Sequence, residues 1–220
     1  SLIRWYEEKE AGEPLFLFNI TMQNHGDYYA SDYEWPVRVH EVSPVNSYDE
    51  SVIAYESGVH MADESVRQLI SYFETVDEPT VVLFFGDHEP RLSNEFYSSW
   101  FTDENDLDLE TTAQLHKTPF FIWGNYNLNT ESIQKDSVVS LNYLSTVLFQ
   151  TAGVQLSPYQ EYLADLRMEH PVITARYFTT AFGDKVGTVP SAFTDSIREY
   201  QWLQYNCVFD RAHRIPGFYS

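Results

Sequence analysis

Three short runs of apolar and β-favouring residues punctuate the chain: FLFNITM over 16–22, TVVLFF over 80–85 and PFFIW over 119–123. Each is nearly continuous rather than alternating, which is how a strand covered on both faces reads. Each follows a break, at Glu13-Pro14, Glu78-Pro79 and Lys117-Thr118. Elsewhere the period changes. Ser47 and Glu50 have capping-box spacing, and beyond them Val52, Tyr55, Val59, Ala62, Val66, Leu69 and Phe73 step by three and four. Glu56, Glu64, Arg67 and Gln68 fall on the opposite side, so one long amphipathic helix is predicted to end near Thr75. A second is predicted from about Ser137 to Thr151, carried by Val138, Leu141, Leu144, Ser145 and Leu148 and stopped by Gly153 in a left-handed cap.

Strand and helix in alternation predict an α/β fold, a sheet flanked by helices, with parallel pairing as the leading expectation. The tail reads differently. Residues 172–180 alternate as a strand does, Gly183-Asp184 and Gly187 are turn material, and 196–209 is predicted helical. Ile197, Tyr200, Leu203, Gln204 and Cys207 share one side of that helix. The chain is therefore expected to divide into a main portion, 1–168, and a small antiparallel β plus helix subdomain, 169–220.

Composition narrows the function. The chain has 220 residues, 43% of them hydrophobic and 16% aromatic, enough for a sizeable core and far from the make-up of a disordered tail. Asp and Glu number 33 against 13 Lys and Arg, a formal charge of −20. A field of that sign repels phosphate backbones, so nucleic acid is excluded as a partner. Cys207 is the single cysteine, which rules out an internal disulfide, a four-thiolate zinc site and a CxxC redox pair. No apolar run approaches the roughly 18–20 residues that span a bilayer.

Candidate chemistry gathers after the apolar runs. TVVLFFGDHEP ends a strand in Gly86 and follows it at once with Asp87 and His88. In open α/β sheets ligands bind beyond the carboxyl ends of strands. Carboxylate and imidazole together suit a hard or borderline divalent cation, Mn²⁺, Mg²⁺ or Zn²⁺. The competing reading is a turn in which Asp87 caps a following segment and His88 is merely exposed. FLFNITMQNHG repeats the pattern, with His25 just past its run. His116 precedes its run, and with parallel strands it stands at the wrong edge. His60, His170 and His213 lack a ligand pattern. Cys207 and Arg211 have the spacing of the sulfatase modification motif, but Phe209 replaces its central proline. The five acids between Asp103 and Glu110 read as a solvated loop or helix start. Asp87, His88 and His25 are too few for a self-sufficient catalytic metal site. No serine or threonine stands in a nucleophile setting, so the chain carries half of an active site.

FLFNITMQNHG, DEPTVVLFFGDHEP, LHKTPFFIWGNYN, SLNYLSTVLFQTAGVQLSP and REYQWLQYNCVF together resemble the carboxy-terminal half of the lipoteichoic acid synthase and phosphoglycerol transferase family. That family lies within the sulfatase and alkaline phosphatase superfamily. The resemblance implies a sulfatase-like catalytic portion over 1–168. It implies that Asp87 and His88 are metal ligands, usually for Mn²⁺, and that His25 contacts the phosphate or glycerol of the substrate. A further glutamate ligand and a threonine nucleophile are expected in an amino-terminal half outside this chain, leaving these residues inactive alone and prone to self-association. The implied substrates are a phosphatidylglycerol-like lipid and a polyol-phosphate acceptor. The implied location is the outer face of a bacterial membrane, with transmembrane anchors elsewhere. Asp27 and Glu89 depart from the family pattern by adding acids near an anionic substrate. A sulfatase or phosphodiesterase of the same superfamily, and a noncatalytic glycan-binding module using the 36 aromatics, are the alternatives.

Overall fold

The structure is a computed structural model; it describes residues 1–26, 28, 36–39, 50–98 and 108–219, with Glu95 described by its backbone alone. The chain divides into two compact units, one of Ser1–Thr80, Gly86–Leu107 and Leu115–Thr118, the other of Val81–Phe85, Asp108–Gln114 and Pro119–Ser220.

The first unit is built on two helices. α1 (Leu2–Glu8) is capped by the Ser1 hydroxyl, which accepts from Arg4 N–H at 3.3 Å. α2 (Glu50–Phe73) is the predicted long amphipathic helix and ends two residues before Thr75. Its expected cap, Ser47, lies outside the described residues. The buried face of its first half runs through Val52, Ala54, Ser57 and Gly58, while Val59 is exposed. Small residues displaced the expected stripe because the chain at Asn24 comes in close: a Cβ on Gly58 would lie 3.2 Å from the Asn24 side-chain amide. Val52, Ala54, Tyr28 and Leu92 form the core there, with Tyr28 and Tyr55 meeting edge to face at 5.5 Å. At the other end Tyr6 packs edge-on against Phe73 at 5.1 Å and donates its hydroxyl to Glu78 at 3.0 Å. The largely buried Lys9 ammonium reaches the same carboxylate at 3.0 Å.

Residues 13–22 depart from expectation. They carry no regular secondary structure and are exposed, Phe16 by 77% and Ile20 by 70%. A strand exists only where a neighbour completes its ladder. The other two apolar runs take each other instead.

Those runs open the second unit as β1 (Val81–Phe85) and β2 (Phe120–Gly124). They pair antiparallel, with Val81 opposite Gly124 and Phe85 opposite Phe120, which corrects the expected parallel pairing. Both strands are half-buried rather than covered on two faces. Phe84 and Phe121 stack across the ladder at 5.4 Å. α3 (Asn94–Ser98) and α4 (Leu109–Leu115) lie between the strands in sequence. Of the acidic run, Asp108 starts α4 by accepting the Thr111 N–H at 2.7 Å, the helix-start reading; 103–107 lie outside the described residues.

α5 (Leu141–Ala152) begins four residues later than predicted and stops at Gly153, whose φ of 73° is the left-handed cap. Its buried stripe is Tyr143, Leu144, Val147 and Thr151; Val138 and Leu141 are exposed. α6 (Pro158–Glu169) was not predicted, yet Ser157 and Gln160 form a capping box with Pro158 in the first turn. β3 (Tyr177–Thr179) and β4 (Lys185–Gly187) form the expected antiparallel hairpin. α7 (Asp195–Val208) follows, its Thr194 hydroxyl accepting the Ile197 N–H at 3.2 Å. Tyr143, Leu163, Leu166 and Tyr200 make the core of this region.

His170 ties the tail together and is 3% exposed. Its Nδ1 lies 2.8 Å from the Thr179 carbonyl and its Nε2 3.2 Å from Thr194 Oγ1 and 3.1 Å from Ser196 Oγ. Tyr143 donates to the His170 carbonyl at 2.9 Å.

Two expectations follow. The exposed apolar segment predicts self-association in light scattering, and replacing Phe18 and Ile20 with lysine should raise the monomer share; a monodisperse wild-type monomer would contradict this. Burial raises the phenols of Tyr143, Tyr159 and Tyr200, and pushes that of Tyr162 up to about 12. A phenol raised in the fold stays protonated there after its unfolded counterpart ionises. Its stabilisation is complete below about pH 10 and drains as pH climbs through about 12. Alkaline titration should show these tyrosines ionising together with loss of helical circular dichroism; independent ionisation near the ordinary value with helicity intact would refute it.

Candidate functional site

Gly86 follows the last residue of β1, and Thr118 stands two residues before β2. Because the strands run in opposite directions, the end of one and the start of the other share an edge of the ladder. Thr118 donates its hydroxyl to the Gly86 carbonyl at 2.7 Å. A Cβ on Gly86 would fall 3.0 Å from Thr118 Cβ, so glycine is what lets the two segments come this close.

Asp87 and His88 occupy the exposed turn that follows, their side chains 73% and 69% accessible. The His88 N–H donates to Asp87 Oδ1 at 3.0 Å, which fixes the carboxylate over its neighbour's backbone. His88 Nδ1 lies 2.8 Å from the Glu89 carbonyl. With Nδ1 as the donor, Nε2 keeps its lone pair and points its ligating atom outward, the arrangement by which metal-binding histidines are oriented. The Glu89 carbonyl first, and the Asp87 charge second, raise the His88 pKa. Nε2 and Asp87 Oδ2 are 3.6 Å apart. That separation suits two ligands each about 2.1 Å from one ion. The pair fits a divalent cation as a partial site, offering two ligands where three or more are needed.

Glu89 and His116 complete this edge. His116 Nδ1 lies 2.9 Å from Glu89 Oε1. Partial burial is the largest single influence on the Glu89 carboxyl and pulls its pKa upward, but the His116 hydrogen bond, a backbone hydrogen bond and the charges of His116 and His88 together outweigh it, and the net shift is down. The sequence reading set His116 at the far edge because it assumed parallel strands; the antiparallel ladder returns it to the edge where β1 ends. Glu89, an added acid in the sequence, thus has a partner. The signal for this pair was the direction of one ladder, which no residue pattern encodes. Asp27, the other added acid, lies outside the described residues.

His25 stands in a separate exposed turn, its N–H donating to the Met22 carbonyl at 3.2 Å. Its neighbour Asn24, oriented to match donors with acceptors, bonds Gly58 O and Val59 N of α2, both at 3.0 Å. Tyr28 donates to the Asn24 carbonyl at 2.6 Å, so the turn is held on both sides. Among the described residues no group of three or more His, Cys, Asp and Glu side chains gathers to hold an ion. Two other histidines are explained locally: His170 is a buried tie, and His213 pairs with Asp210 at 2.6 Å.

Gly86→Ala is expected to cost about 1–2 kcal/mol in denaturant unfolding, the range of a tight overpacking substitution. Adding Thr118→Gly should restore part of it, a coupling a double-mutant cycle reads directly. Equal losses with and without Thr118→Gly would show that the two do not meet.

Three similarities place the chain. It is 27% identical over 231 aligned positions to the "Putative cyclic beta-1,2-glucan modification protein" of Rhizobium meliloti (strain 1021), covering all of this chain and 34% of that protein. It resembles in structure the Streptococcus pyogenes phosphoglycerol transferase GacH in complex with sn-glycerol-1-phosphate, with a TM-score of 0.52 and 17% identity over 80% of this chain and 41% of that one. The second likeness shows the fold. The chain thus spans about a third of the curated relative it matches. The sulfatase family model matches residues 2–154. With that match over more than half its length, the chain belongs to the sulfatase family.

Proposed function

We propose that this chain is the carboxy-terminal part of a metal-dependent phosphoglycerol transferase. The observation that carries the reading is the Asp87–His88 pair at the end of β1. Its Nε2 and Oδ2 atoms stand 3.6 Å apart, and the second imidazole nitrogen is already committed to a carbonyl. Membership of the sulfatase family and the fold shared with a phosphoglycerol transferase support it.

In this reading Asp87 and His88 hold Mn²⁺, with Mg²⁺ or Zn²⁺ as alternatives, completed by ligands outside these residues. When bound, the ion lowers the pKa of a nucleophilic hydroxyl and polarises the phosphoryl oxygens. The nucleophile is a threonine outside this chain. Its oxygen attacks the phosphorus of a phosphatidylglycerol-type lipid; the bond to diacylglycerol breaks, and that alcohol leaves with a proton. An acceptor hydroxyl then attacks the glycerophosphate ester and returns the threonine to its free form. His25 donates a hydrogen bond to the phosphate or glycerol, held for the task by Asn24. His116 positions the edge through Glu89. A polyol-phosphate chain is one acceptor class; the glucan in the relative's name supplies a second. The reaction belongs at the outer face of a bacterial membrane. Among the described residues no helix is long and apolar enough to cross it.

The test uses the full-length protein with Mn²⁺ and a labelled phosphatidylglycerol analogue, measuring diacylglycerol release. The Asp87→Ala, His88→Ala double variant should lose about a hundredfold or more, since a catalytic metal supplies several kcal/mol. Undiminished activity in that variant would end the metal assignment. The family also contains hydrolases, and the fate of the glycerophosphate separates them: transfer to an added polyol supports the transferase, release to water alone a phosphodiesterase.

A further inference from the structure

Glu89 follows the candidate metal pair directly, and the transferase reading gives its charge no task. An acid at that place opposes any anionic substrate. A fully exposed glutamate would swing clear and be screened by water, but this one is held. His116 Nδ1 lies 2.9 Å from its Oε1, and its side chain is 31% accessible against 73% for Asp87. A charge kept in place and partly out of water acts more strongly on its neighbours than a solvated one. The Glu89 pKa is lowered overall, so the group is ionised at neutral pH.

Its place beside the pair is fixed as well. The carbonyl of the same residue lies 2.8 Å from His88 Nδ1. The carboxylate is felt at that imidazole: its charge helps raise the His88 pKa, after the Glu89 carbonyl and the Asp87 charge. It is nevertheless committed to His116, and among the described residues no three acidic, histidine or cysteine side chains gather to hold an ion. Glu89 therefore adds negative field at this edge without adding a ligand. Such a field opposes a substrate in proportion to the substrate's own charge. A phosphomonoester carries close to two negative charges above about pH 7, since its second pKa is near 6. A phosphodiester has no second proton to lose and carries one. The electrostatic penalty on a monoester is thus about twice that on a diester.

We propose that Glu89, held in place by His116, is a specificity-determining residue that favours singly charged phosphodiesters over doubly charged phosphomonoesters. This selectivity rests on the transferase reading, whose substrate it confines to one charge class. The test is binding rather than turnover: calorimetric Kd values of glycerol phosphate, a monoester, and glycerophosphoglycerol, a diester, on the full-length protein saturated with Mn²⁺ at about pH 8. Glu89→Gln should tighten the diester about threefold and the monoester about tenfold, because the factor for two charges is the square of the factor for one. Glutamine keeps an acceptor for His116 and removes only the charge. Glu89→Asp keeps the charge and shortens the reach to His116, so it should retain the wild-type ratio of the two Kd values. A glutamate needed only for its hydrogen bond would show the reverse pattern. Wild-type protein that binds neither Mn²⁺ nor either ester would end the transferase reading and this selectivity with it. Normal wild-type binding with the ratio unchanged in Glu89→Gln, or shifted in Glu89→Asp alone, would overturn the selectivity and leave the transferase reading standing.

Discussion

The direction of one two-stranded ladder decides what stands next to what in this chain. Val81 faces Gly124 and Phe85 faces Phe120, so the residues leaving β1 and those entering β2 emerge together. From that follow the Thr118 hydroxyl on the Gly86 carbonyl, the tight approach that only glycine tolerates, and the Glu89–His116 pair beside Asp87 and His88. Had the strands run parallel, the same residues would have been separated by the full length of the ladder.

Much of this was legible beforehand. α2 announced itself by seven apolar positions in step, Gly153 by its place after the last periodic residue, and the β3–β4 hairpin by its turn glycines. The Gly86-Asp87-His88 segment was legible as the end of a strand, and the structure sets both of its side chains in an exposed turn after β1. The misses have equally physical causes. Pairing direction is a relation between distant segments, and continuous apolar runs read alike in parallel strands and in half-buried antiparallel ones. The segment 16–22 has strand composition, but composition supplies no partner for its backbone. α6 is mostly polar and so gave no apolar stripe, although Ser157, Pro158 and Gln160 spelled its start.

The acid excess has a structural counterpart. Among the described residues six Lys and Arg side chains are committed to carboxylates: Arg4 to Glu8, Lys9 to Glu78, Arg38 to Glu50, Arg67 to Glu64, Lys185 to Glu110 and Arg198 to Asp195. Most of these pairs are exposed and contribute little to stability. Their cations already enter the net count of −20, so the chain as a whole stays strongly negative. An anionic substrate of the proposed kind would meet that field at the Asp87 edge, where a divalent cation would reverse its sign locally.

His170 bears on how the molecule comes to be. Its four partners lie 9, 24, 26 and 27 residues away along the chain, on the hairpin, on the start of α7 and on α5. None of those contacts can form while the chain is only locally ordered, since each closes a loop before it returns any stabilisation. His170 is therefore a late keystone: helices can form around it early, but the carboxy-terminal portion becomes a single cooperative body only when the hairpin and the start of α7 reach its ring and Tyr143 of α5 reaches its carbonyl.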